Sequence, residues 1–148
     1  MIRKILATLS LLVLASPAWS YTIPTDIDVG GLDTVIDYTD DLGCGNGSDE
    51  AAEECWAESV LNADLTLGSR IDPVPVTPTV EDDRVITFAL DSGTGYYVVK
   101  NGSGAWVLMF NEQEEAYGVL DLDQEISENL LLGDFLNLCS NGNSSTDT

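Results

Sequence analysis

Histidine is absent from these 148 residues, and only five side chains are basic. Without imidazole the chain has no Ser-His-Asp or Cys-His nucleophile, no histidine-based zinc site and no histidine general base. Cysteine is scarce as well: Cys44, Cys55 and Cys139 are too few and too scattered for a structural zinc cluster. No glycine-rich phosphate loop followed by lysine occurs. Carboxylates alone could still cleave a glycosidic bond, which needs two of them about 5 to 10 Å apart. Among 26 acidic residues some pair falls at that spacing by chance, so a glycosidase stays the remote reading and no enzyme is expected. No metal and no cofactor is called for.

A long apolar run is also missing. "MIRKILATLSLLVLASPAWS" at 1–20 has Arg3 and Lys4 at its start, an apolar stretch from Ile5 to Leu14, and small residues around Ser20. That is the pattern of a removed export signal, because a permanent span needs about 20 apolar residues. The remaining chain is expected to be secreted, periplasmic or on the cell surface, with no stable membrane span. Removing Arg3 and Lys4 leaves 3 basic residues against 26 acidic ones, a net charge of −23. Such a field repels nucleic acid and anionic membranes, which are excluded as partners. It suits solubility in a salty medium, the alternative being a cation-binding surface.

An exported chain meets an oxidising space, so a disulfide is expected. Cys44 and Cys55 stand eleven positions apart in "GCGNGSDEAAEECW", and a bridge there ties a loop to a helix. Cys139 is then left to pair in place of either partner, to link two chains, or to stay free. The sequence sets no oligomeric state. The same stretch fails as a calcium loop: Asp37, Asp40, Asp41, Asn46, Asp49 and Glu50 do not give D-x-[DN]-x-[DN]-G followed by glutamate. "DLDQEISE" at 121–128 puts Ile126 where that glycine belongs.

Residues 21–47 are rich in turn formers, with a short strand expected at 34–38. Ser48 reads as an N-cap, and Ala52, Cys55, Trp56, Ser59, Val60 and Ala63 recur at helical spacing. A helix is therefore expected over 49–62, with Cys55 inward and Glu50, Glu53, Glu54 and Glu58 on a solvated face. Pro73, Pro75 and Pro78 make 72–83 an extended strap. The period then becomes two in "RVITFAL" (84–90), "GYYVVK" (95–100), "AWVLMF" (105–110) and "YGVLDL" (117–122), with "DSGTG" and "NGSG" as hairpin turns. Residues 123–138 read as a helix broken near Gly133, or as a helical turn and a last strand.

The fold class is thus α+β: an antiparallel β-meander, a sandwich-like sheet, with one helix packed on it. A single domain covers 21–138, divided into a loop-and-helix part at 21–71, the Pro-rich connection at 72–83 and the sheet part at 84–138. A polar, disordered tail follows at 139–148.

Along the strand 96–100, Tyr96, Val98 and Lys100 share one face and Tyr97 and Val99 the other. One tyrosine is core, and the other lies beside Lys100. Tyr96, Tyr97 and Trp106 are the candidate ligand-facing aromatics of a carbohydrate-binding module. The sequons at Asn46, Asn101 and Asn143 would be glycosylation sites in a eukaryotic secretory path, but the first two are Asn-Gly pairs that turn chemistry explains.

"FALDSGTGYYVVKNGSGAWVLMFNEQEEAYGVLDLD" at 88–123, about a quarter of the chain, resembles bacterial exported proteins of the PEP-CTERM (exosortase-sorted) type. The likeness lies in a Y-x-V-K-x-G hairpin at 97–102, a tryptophan strand and one further strand. No Pro-Glu-Pro, apolar helix or basic cluster follows Leu138, so the sorting tag itself is absent. The resemblance implies a cell-surface or matrix product of a Gram-negative bacterium that makes exopolysaccharide. An acidic, non-enzymatic protein is expected, whose partner would be that matrix.

Overall fold

The computed structural model describes residues 19–44, 50–66, 68–71, 74–91, 93–113 and 116–137. The expected export signal lies almost wholly outside them, as do Ser48, Cys139, Asn46, Asn143 and the tail. In chain order the elements are β1 (Tyr21–Thr22), β2 (Asp28–Gly30), β3 (Thr34–Thr39), α1 (Glu50–Leu61), β4 (Thr77–Pro78) and β5 (Val85–Ala89). They continue with β6 (Tyr96–Lys100), β7 (Trp106–Phe110), β8 (Tyr117–Asp121), β9 (Glu125–Ser127), β10 (Leu130–Leu131) and α2 (Leu132–Phe135). Among the described residues all strand pairing is antiparallel and α1 is the one main helix, which makes this an α+β fold with a β-sandwich.

The four strands β5 to β8 do not form one meander. One sheet has the order β3-β7-β6 and a second the order β4-β5-β8, so β5 pairs with β8 rather than with β6. The reason is burial. Val85 to Phe88 of β5 and Trp106 to Met109 of β7 are buried without interruption, and a strand with no solvent face must be covered on both sides. A lone sheet under one helix cannot do that; two stacked sheets with covers outside can. The β5–β6 connection therefore crosses between sheets, whereas Asn101 to Ala105 close a true β6–β7 hairpin. The Pro-rich strap supplies β4, an edge strand set beside β5 through Thr77 and Pro78, where a missing N–H is tolerated.

Between the sheets lie Ile86, Phe88, Val107, Met109, Leu120 and Leu122, sealed at one end by Leu132 and Phe135 of α2. Gly118 is opposite Phe88 in the β5–β8 pairing; a Cβ there would meet the Phe88 ring at 2.5 Å, so the ring occupies the space that any other residue would fill. Outside the first sheet, Ala52, Trp56 and Ala57 of α1 pack on Trp106 and Leu108. Outside the second, Val29 of the β1–β2 pair packs on Val85 and Val119.

The helix ends as its sequence permits. Asn62 takes a left-handed conformation (φ 50°), and the Ala63 N–H bonds back to the Glu58 carbonyl at 3.3 Å, a Schellman closure. Two helix expectations are corrected. Cys55 is exposed, because the inward stripe runs through Ala52 and Trp56. The acidic face is only partly solvated: Glu53 turns in towards Trp106, and Glu58 accepts the Leu65 N–H at 2.9 Å. At the end of the chain the order differs from that expected: the short β9–β10 hairpin comes first and the single turn of α2, containing Gly133, follows.

Candidate functional site

Strand alternation and the two covers fix where each aromatic ring goes. Tyr97 points between the sheets, edge-on to Phe88 at 5.5 Å, and its hydroxyl donates to Asp33 Oδ2 at 2.5 Å. Tyr96 lies on the opposite face with Lys100 and is 43% exposed, stacked on Phe110 at 4.8 Å. Trp106 is only 4% exposed, because α1 covers it. Its Nε1 donates to Glu53 Oε1 at 2.9 Å, and Lys100 Nζ sits 5.2 Å from its ring centroid and 3.7 Å from the same carboxylate oxygen. The three candidate ligand-facing aromatics are thus dispersed to three surroundings. Trp106 is corrected to a core position and Tyr97 to a half-buried one packed against the core, and of the three only Tyr96 is exposed.

Cys44 and Cys55 form the expected disulfide with their Cα atoms 6.0 Å apart, tying the loop after β3 to the second turn of α1.

The acidic side chains have local work. Asp28, Asp41, Asp82 and Asp121 each accept the N–H two residues on, from Gly30, Gly43, Arg84 and Asp123, at 2.8 to 3.0 Å. These are Asx turns, in which a short carboxylate replaces a backbone acceptor. Asn101 does the same for Ser103 and Ala105, and its Nδ2 donates to the Phe135 carbonyl, so this sequon asparagine works as a turn former. Glu81 reaches across to the Thr22 N–H and hydroxyl, and these bonds hold its carboxyl below its ordinary value. Asp123 is lowered in the same way by Arg84, whose Nη2 lies 2.6 Å away. Asp28 is lowered by the Ser20 hydroxyl and the Gly30 N–H.

Asp33 is the exception, and the sequence reading missed it. It precedes β3, is 4% exposed, and its Oδ2 accepts both the Tyr97 hydroxyl and the Val119 N–H, the latter at 2.8 Å. Its own N–H donates to the Val119 carbonyl at 2.9 Å, which plugs the free edge of β8. Burial pushes its carboxyl up to about 6 against the pull of those two donors, and the Glu112 carboxylate adds to the rise. The Tyr97 phenol is pushed up, first by burial and then by Asp33. One signal could have located Asp33: an inward tyrosine hydroxyl needs a buried acceptor.

Shallow grooves open on the surface among the described residues. One, of about 410 Å³, lies at the end of the sandwich between Tyr38, Asp40, Ser103, Asp134 and Phe135; another, of about 560 Å³, lies beside the end of α1 at Cys55, Glu58 and Asn62. Among the described residues no three cysteine, aspartate or glutamate side chains are grouped to hold a metal ion. Among them, too, no helix is long and apolar enough to cross a membrane.

A scan against protein-family models and searches of curated proteins and of solved structures return no match to this chain. Its functional reading rests on its own residues.

Proposed function

We propose that this is an exported, non-enzymatic acidic protein that serves as a cell-surface or extracellular-matrix component of a bacterium. The observation that carries the reading is the use made of the carboxylates: those of Asp28, Asp41, Asp82 and Asp121 close turns, and Glu81 and Asp123 tie separate segments together, instead of converging on one cavity. The export signal, the chain's charge of −21, the disulfide and the resemblance of 88–123 to PEP-CTERM-type exported proteins support it. A second reading, a carbohydrate-binding module, is favoured by the end groove, where the half-buried Tyr38 lies beside Asp40 and Asp134.

Fractionation of the native host, with N-terminal sequencing, tests the proposal. The expected result is protein beginning at or near Tyr21 in the polysaccharide matrix or the cell-surface fraction. Protein inside the cells with Met1 still attached and the sulfurs of Cys44 and Cys55 reduced would contradict it.

A further inference from the structure

Asp33 is a buried carboxylate with no ion pair among the described residues: Arg84 lies on Asp123, Lys100 on Glu53, and Arg70 is exposed and makes no ion pair with it. It joins the two sheets, taking the Tyr97 hydroxyl from β6 and the Val119 N–H from β8 on one oxygen. The groups facing it are few. β6 presents the Tyr97 phenol. The segment after β7 presents Glu112, a like charge that itself accepts the Thr34 hydroxyl at 3.3 Å. From β8 it receives a backbone amide, and Asp28 of β2 is turned to Ser20 and Gly30. Two donors do not replace the water that a buried carboxylate loses, so the site favours the protonated acid.

We propose that Asp33 is a proton-linked latch between the two sheets, which binds a proton in mildly acidic medium and thereby relieves the folded sandwich of the cost of a buried charge. In the folded chain its carboxyl titrates at about 6 and in the unfolded chain at the ordinary 3.8. Between those values the folded state holds a proton that the unfolded state has released. The latch's contribution is therefore complete below about pH 4 and is lost as pH rises through about 6. From about pH 7 to about pH 5 the folded-to-unfolded ratio gains about tenfold from this one group.

The test compares thermal unfolding of the protein and its Asp33→Asn variant at the two pH values, in salt sufficient to screen the general acidic field. The wild type should gain stability on acidification by about tenfold more than the variant, whose amide does not titrate there. Equal gains in both would overturn the proposal. Carbon-13 titration of the Asp33 carboxyl in the wild type decides the matter even where the variant fails to fold. A midpoint near 6 that moves upward in Tyr97→Phe, which loses a donor to the charged form, is expected; a midpoint below about 4.5 contradicts it.

Discussion

Each sheet of the sandwich has an outer apolar face, and the two faces are covered by different means. Over the first, α1 presses Trp56 and Ala57 onto Trp106 and Leu108, and is fastened by the Cys44–Cys55 bridge and by Glu53 on the indole N–H. Over the second, the β1–β2 pair sets Val29 on Val85 and Val119, and is fastened through the backbone: Val80 N–H to the Thr22 carbonyl at 2.8 Å, with Glu81 reinforcing Thr22. The difference follows from what each cover has left to offer. A helix has spent its backbone groups on itself, so it reaches a sheet only through side chains, and a twelve-residue helix is marginal by itself. Extended segments still have N–H and carbonyl groups to share, and need no covalent strap.

Substitution of the anchor on each side sharpens this contrast. The largest loss is expected from Trp56→Ala, which removes the ring that seats α1; urea unfolding should give a decrease of about 3 to 5 kcal/mol. Val29→Ala, on the hairpin side, should cost less, about 2 kcal/mol, since the backbone bonds of that cover survive the change. A Val29→Ala loss equal to that of Trp56→Ala would break the distinction between the covers.

What could be read in advance was local. The helix, the edges of β5 to β8, the bridge between Cys44 and Cys55 and the opposite fates of Tyr96 and Tyr97 all follow from periods and spacings within some fifteen residues. Pairing is not local. "RVITFAL" and "AWVLMF" declare themselves strands, but their periods do not say that β5 joins β8 or that β3 joins β7. The near-continuous burial of both strands, which in β5 includes the polar Thr87, argues against a single half-exposed sheet. Trp106 was misplaced because the helix that covers it lies fifty residues earlier in the chain. Asp33 was invisible because one aspartate among 26 acidic residues carries no signal until Tyr97 is known to point inward.

Amide hydrogen exchange with and without a dithiol reductant tests the account of the two covers most directly. Reduction of Cys44–Cys55 removes a loop closure worth roughly 3 kcal/mol by the chain-entropy model. The predicted result is accelerated exchange across α1, Glu50–Leu61, with protection retained in β5 and β8 beneath the hairpin cover. Unchanged protection of α1 after reduction, or loss of protection in both sheets together, would contradict it.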